Sequence, residues 1–324
     1  MNEFEFIKSI QQRNYKRSGL RKGIGDDAAV FRQSYQDTVT AVDTFVENIH
    51  FSRKTMEPFH IGYRVLAANI SDMAAMGCDP AYYLISIVIP KEWTEQELHE
   101  IYQGMNDIAN QYKLDLIGGD TVSGSQLVIS VTIIGFVDQN KARYRSDAVD
   151  GDVIFVTGTL GDAAAGFHLL SEGNNNDMDK YNYFIQRHRM PTPRIAFSNA
   201  LKELNRVALN DISDGIANEA NEIAEASHVT MNIHYDRIPI HQSLKDFSAE
   251  QQRAWSLSGG EDFELIGTVS EKDWPYVLEI AASTNTKVTS IGYVTNHQNL
   301  NGHTILIENG IGKQLNKSGY THLK

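Results

Sequence analysis

A mixed α/β fold in two domains is predicted by three observations. The chain has 324 residues, strand and helix patterns interleave along all of it, and a turn-rich break at RSDAVDGD (145–152) precedes a second round of the same alternation. With 41% hydrophobic and 22% charged residues, there is material for two separate cores. The expected division is residues 1–147 and 148–324.

The elements follow in order. TVTAVD (38–43) alternates as a strand does, and residues 58–76 carry a helical apolar pattern ended by Gly77, a favoured residue just past a helix. Residues 83–89 read as strand and 94–112 as helix. Residues 114–117 read as a short strand running into Gly118-Gly119-Asp120, and 127–137 as a long strand. Past the break, DVIFVTG (152–158) opens the second unit, with helices near 193–204 and 214–227 and strands near 229–235, 263–269, 288–294 and 304–307. TIIGFV (132–137) and TSIGYV (289–294) echo one another and hint at related halves. The polar segment SEGNNNDMDKYN (171–182) reads as a surface loop without chemistry.

Charge and composition exclude several classes. A formal charge of −12 with no basic run argues against a general grip on nucleic acid. No apolar stretch approaches membrane-spanning length and the first residues lack a signal-like core, so the cytoplasm is the expected location. Cys78 is the single cysteine, which excludes an internal disulfide and a cysteine-built zinc site; its AAMGCDP neighbours suggest a packed thiol.

Five acidic segments carry the functional signal: GIGDDAAVF (23–31), AVDTF (41–45), NISDM (69–73), IGGDT (117–121) and NDISDG (210–215). Each has a plain reading. Asp26 and Asp27 suit a turn, Asp214 suits a helix N-cap, and Asp72, near a helix C-terminus where an anion is disfavoured, could be compensated by Arg64. Asp43 ends an apolar strand, the place where α/β proteins hold ligands, with His50 seven residues on. Together the aspartates suit two or more Mg²⁺ ions, since that cation takes oxygen ligands, one or two carboxylates at a time, with water and phosphate completing its shell. EF-hand, P-loop and H-E-x-x-H patterns are absent. The glycine-rich VTGTLGDAAAG (156–166) has two readings, a phosphate-holding turn or a tight connector capped by Asp162.

GIGDDAAVF, VDTFVENIHF, NISDMAAMGCDP, LIGGDT, VTGTLGDAAAG, NDISDG and SLSGGEDFEL, in this order, resemble the thiamine-monophosphate kinase family. That family belongs to the superfamily of aminoimidazole ribonucleotide synthetase and selenophosphate synthetase. The resemblance implies an N-terminal α/β domain whose sheet pairs in a homodimer, a C-terminal α/β sandwich domain, ATP as co-substrate, Mg²⁺, and phosphorylation of thiamine monophosphate. By position it implies metal ligands at Asp27, Asp43, Asp72, Asp120, Asp211 and Asp214. Nucleotide contacts would be Tyr102, Gly119, Asp120, Arg145 and Ser213, and substrate contacts His50, Glu261 and Tyr320. Asp43, Asp120 and Arg145 would act by electrostatics and positioning, with no general base. Some relatives carry hydroxyl residues where this chain has Ala41 and Val42, so any metal contact there would come from backbone carbonyls. Aminoimidazole ribonucleotide synthetase and a non-catalytic Mg²⁺/nucleotide-binding protein remain the alternatives. The mid-chain Cys78 and the ending SGYTHLK do not fit selenophosphate synthetase or the cysteine-tailed hydrogenase-maturation relatives.

Overall fold

The computed structural model describes residues 16–17, 20–22, 30–31, 35–172, 181–296 and 301–319. The chain divides into two compact units, Met1–Met73 with Cys78–Asn140, and Ala74–Gly77 with Lys141–Lys324. Both combine helices with a sheet, the mixed α/β architecture expected.

In the first unit, a short antiparallel pair, β1 (Leu20–Lys22) and β2 (Val30–Phe31), precedes a four-stranded sheet. Its strands are β3 (Gln36–Val46), β4 (Asp79–Ile89), β5 (Asp115–Ser123) and β6 (Val128–Asp138), in the order β3-β6-β4-β5. Only β4 and β5 pair parallel, because the helix between them carries the chain back across the sheet. Among the described residues, two helices supply the second layer. In α1 (Pro58–Ala75) every residue from 61 to 75 is buried except Asp72. It ends at Gly77 (φ 66°), where Gly77 N–H donates to Ala74 O and Cys78 N–H to Met73 O, the expected left-handed stop. In α2 (Glu95–Tyr112) the start is fixed by a capping box, with Thr94 and Glu97 exchanging side chain-to-backbone hydrogen bonds.

Strand alternation divides the four-stranded sheet into two faces. Ile85, Ile87, Ile129, Val131 and Ile133 are fully buried or nearly so, each contributing roughly 1.5–3 kcal/mol. The opposite face is half open. On it Val46, Val128, Val88 and Val122 fall in one lateral row, and Thr44, Ser130, Ser86 and Asp120 in the next, with Thr44 and Ser130 hydroxyls 2.8 Å apart.

The second unit is built on a seven-stranded sheet. Its strands are β7 (Asp152–Thr157), β8 (Ala208–Asp211), β9 (Thr230–His234), β10 (Leu265–Ser270), β11 (Val288–Thr295), β12 (His303–Glu308) and β13 (Ile311–Leu315). They lie in the order β13-β12-β9-β11-β7-β10-β8, antiparallel except for β9 beside β12. The helices are α3 (Asp162–Glu172), α4 (Asn182–Arg189), α5 (Ile195–Ala200), α6 (Ile216–Ser227), α7 (Ala249–Ser258) and α8 (Trp274–Ser283). Ile216, Ala220, Ile223 and Ala224 form a stripe on α6 that shares one core with Ile154, Val156, Ile233 and Ile266 of the sheet.

The echoing segments both fall in inner strands, β6 and β11. Gly135 and Gly292 each sit where a Cβ would strike the neighbouring strand, at Cys78 Sγ and Asp79 O in one case and Asn232 O in the other. One local expectation is corrected: the short strand read over 114–117 is β5, which continues through Gly118, Gly119 and Asp120. Asp211 stands at the end of strand β8. Residues 173–180 of the polar segment lie outside the described residues. No described helix is long and apolar enough to cross a membrane.

Candidate active site

In the first unit, Asp43, His50 and Asp72 come from one edge strand, its following loop and α1. The loop after β3 turns tightly through Asn48 (φ 64°) and closes with a bridge between Glu47 and Phe51, so His50 folds back onto the strand. Val46 N–H donates to His50 Nδ1 at 3.0 Å, and the ring meets Phe45 edge-on. An Nδ1 that accepts leaves the proton of the neutral ring on Nε2, a donor suited to a phosphate oxygen. Asp72 is the one opening in an otherwise buried helical run, and Tyr102 is half-buried on α2.

Gly119 and Asp120 lie in the edge strand β5. Gly119 is required by the sheet itself, because a Cβ there would collide with Ile85 O of the adjoining strand. Asp120 aligns across the sheet with Ser86, Ser130 and Thr44, whereas Asp43 aligns with Val131, Ile85 and Gly119. Adjacent rows project from opposite faces. The two aspartates also occupy the two edge strands, three spacings of about 4.8 Å apart, on the order of 14 Å. Two carboxylates bound to one Mg²⁺ at about 2.1 Å per bond cannot bridge that distance. A single Mg²⁺ therefore cannot be held by Asp43 and Asp120 of one chain together.

In the second unit the predicted residues do converge. Glu261 N–H donates to Ser213 O (2.6 Å), Phe263 N–H to Ile212 O (3.0 Å) and Ile212 N–H to Glu264 O (2.7 Å), which lays the GGEDFE loop against the NDISDG loop. Gly260 and Gly319 both lack a Cβ where one would press on Asp214 or Ser213 backbone, so the chain near its C-terminus joins the same place. Asp211 ends β8 with only 4% of its surface exposed. Asp214 is not the cap of α6, since Gly215 (φ 99°) holds that position. Asp27 and Tyr320 lie outside the described residues.

Two residues that the sequence reading missed tie this loop to Arg145. Arg145 Nε donates to Asn210 Oδ1 (3.0 Å), Asn210 Nδ2 to Glu219 Oε2 (2.5 Å), and Asp214 N–H to Glu219 Oε1 (3.2 Å). Burial, then the nearby Asp211 charge, raises the Glu219 carboxyl to about 8, while the hydrogen bond from Asp214 N–H and the Arg145 charge pull it back. The signal was available: Glu219 is an acid on the apolar stripe of α6 between Ile216 and Ile223. Among the described residues no three His, Cys, Asp or Glu side chains converge to hold an ion unaided.

The glycine-rich VTGTLGDAAAG segment is a connector. The start of α3 receives the Asp262 carboxylate, which accepts from Gly161 N–H (2.7 Å) and Ala163 N–H (3.0 Å), so a phosphate is not needed there. Asp162 is not the cap. Its Oδ2 accepts from Thr159 and Tyr183, and its buried Oδ1 has no hydrogen-bond partner. Burial raises its pKa.

Comparison with known proteins places this architecture. Residues 25–137 match the AIR synthase related protein N-terminal domain and 149–304 the C-terminal domain of the same group. The chain is 44% identical to thiamine-monophosphate kinase of Bacillus subtilis over 100% of both chains. A crystal structure of thiamine-monophosphate kinase from Stenotrophomonas maltophilia superposes with a TM-score of 0.82 at 33% identity, covering 91% of this chain and 93% of that one. A structure described as AaThiL complexed with AMPPCP and TMP gives a TM-score of 0.76 at 28% identity, covering 91% and 92%. By sequence across its whole length and by fold, the chain belongs to the thiamine-monophosphate kinase family.

Proposed function

We propose that this protein is a cytoplasmic, homodimeric kinase that transfers the γ-phosphoryl group of ATP to thiamine monophosphate, giving thiamine diphosphate. The observation that carries the reading is full-length similarity to enzymes of that name, joined to the convergence of Ser213, Asp214 and Glu261 on one loop pair. The relative described with AMPPCP and TMP supports the pairing of an ATP-like nucleotide with this substrate class.

The chemistry needs little proton transfer. The acceptor, a phosphate oxygen of thiamine monophosphate, is already anionic near neutral pH, so the chain has to align two polyanions rather than activate a nucleophile. Asp27, Asp43, Asp72, Asp120, Asp211 and Asp214 would hold Mg²⁺. Bound Mg²⁺ supplies charge neutralisation between the phosphates. Arg145, oriented by Asn210, offers a forked donor to the nucleotide, and Tyr102, Gly119 and Ser213 line its site. His50, Glu261 and Tyr320 hold thiamine monophosphate.

The separation of Asp43 from Asp120 favours a site shared between copies. The half-open sheet face, where Val42 is 63% and Val122 45% exposed, offers the apolar surface such a dimer would cover. The decisive assay supplies ATP, Mg²⁺ and thiamine monophosphate and looks for thiamine diphosphate, with free thiamine as the control acceptor. Product from free thiamine, or none from the monophosphate, overturns the assignment. Asp43→Asn or Asp120→Asn should lower kcat by on the order of a hundredfold. Near-normal turnover of either variant at saturating Mg²⁺ would contradict the metal-holding role.

A further inference from the structure

The loop that carries Glu261 has an unusual backbone. Gly260, Glu261 and Phe263 all lie in the left-handed region, at φ 65°, 57° and 50°. Glycine takes this conformation freely, but glutamate and phenylalanine do not. Such geometry persists only where the surroundings impose it, and it clusters where a side chain must be aimed.

The imposing contacts are visible on both sides of the loop. Asp262, 2% exposed, sits between the two left-handed side chains and accepts from Gly161 N–H at 2.7 Å and Ala163 N–H at 3.0 Å. Arg187 Nη2 donates to Asp262 O (2.9 Å) and to Glu264 Oε1 (2.8 Å). Arg194 forks onto both Glu264 oxygens at 2.7 and 2.5 Å, and Thr157 Oγ1 adds a bond of 2.6 Å. Of residues 261–264 only Glu261 is not buried. The buried acids flanking it therefore fix its backbone without themselves reaching the surface.

We infer that Asp262 is the positioning residue for Glu261, clamping the left-handed loop onto the start of α3 so that the Glu261 carboxylate meets the cationic ring portion of thiamine monophosphate. This rests on the kinase reading above. A carboxylate repels the substrate's phosphate and attracts its thiazolium charge and the amine of its pyrimidine, so this residue serves recognition of the rings rather than transfer of the phosphoryl group. Loss of the clamp should weaken binding of the acceptor and leave the chemical step and the nucleotide largely alone.

The test is steady-state kinetics of the full-length protein with Asp262→Asn, Glu261→Gln and the double variant, varying thiamine monophosphate and ATP separately. Asp262→Asn keeps the size but turns an amide nitrogen toward one of the two N–H donors. The expected result is a tenfold or greater rise in KM for thiamine monophosphate, with kcat within threefold and KM for ATP within twofold of the unmodified protein. Because both residues act through one contact, the double variant should be no worse than the more impaired single one. Multiplicative losses in the double variant, or a fall in kcat with both KM values shifted together, would mean that Asp262 only supports the fold and would overturn the inference. If Asp262→Asn does not yield soluble protein, Arg194→Lys loosens the Glu264 side of the same loop. It should raise KM for thiamine monophosphate selectively by at least threefold, and an unchanged value would be equally fatal. An unmodified protein that makes no thiamine diphosphate would instead defeat the kinase reading itself.

Discussion

Replacing Gly104 with alanine should separate the two helices that carry Asp72 and Tyr102. Gly104 on α2 lies directly against α1. An added Cβ would stand 2.8 Å from Tyr63 N and 2.9 Å from Phe59 C, and closer still to Phe59 O. Gly62 of α1 makes the reciprocal approach to Ile101 O, so the contact is backbone to backbone and no flexible side chain can give way. Restoring carbon separations of about 3.5–4.0 Å requires the helices to part by on the order of 1 Å. Overpacking of this kind costs about 1–3 kcal/mol, and contact with rigid backbone puts it near the upper end. Alanine recovers about 1 kcal/mol through its better helix propensity. The net loss is about 2 kcal/mol, which at roughly 2–4 °C per kcal/mol for a chain of this size lowers Tm by about 4–8 °C. Thermal unfolding followed by circular dichroism measures it, with Gln103→Ala, an exposed neighbour on the same helix, as the control. KM for ATP should rise with it, because Tyr102 is two residues away. A Gly104→Ala protein as stable as the parent would refute the close-packing argument.

Two further outcomes follow from the geometry. Equal mixing of inactive Asp43→Asn and Asp120→Asn proteins, after exchange of subunits, should restore about a quarter of the original activity if each site draws on two copies, since half the dimers are mixed and each of these has one unaltered site; no recovery would place both residues in one chain's site. The second outcome concerns pH. Burial, then the Asp162 charge, pushes Asp262 up to about 7 from an ordinary 3.8, so the folded protein holds a proton that the unfolded chain releases. The sign is that this group's contribution to stability is full below about pH 4 and is lost as pH rises to about 7. Asp262→Asn should therefore flatten the Tm profile between those values, and an unchanged slope would remove Asp262 from the account.

The sequence patterns that could be read were those set by local periodicity. The helix over residues 58–76 was legible from its apolar spacing and its stop at Gly77, and residues 38–43 from their alternation. Strand β8 was not, because four residues reading ALND, two of them turn formers, carry too short a pattern. Gly119 was ambiguous for a different reason: glycine marks close approach, but the sequence does not say whether a phosphate, a neighbouring strand or both come close. The alignment of Asp120 with Thr44 rather than Asp43 depends on register between non-consecutive strands, which no local pattern encodes. Nor does any residue type announce the left-handed backbone of Glu261 and Phe263, which is imposed by partners up to about a hundred positions away.

Cys78 gives the first unit a built-in clock. Its thiol is fully buried, and burial, with the adjacent Asp79 charge, pushes it up to about 12, so almost none of the reactive thiolate exists at neutral pH. A chain with one cysteine reacts with a thiol reagent only as fast as that strand start comes open. The labelling rate in the folded protein thus reads out, without any engineered probe, how often the sheet beside Asp79 and Gly135 loosens, and whether bound nucleotide slows that opening.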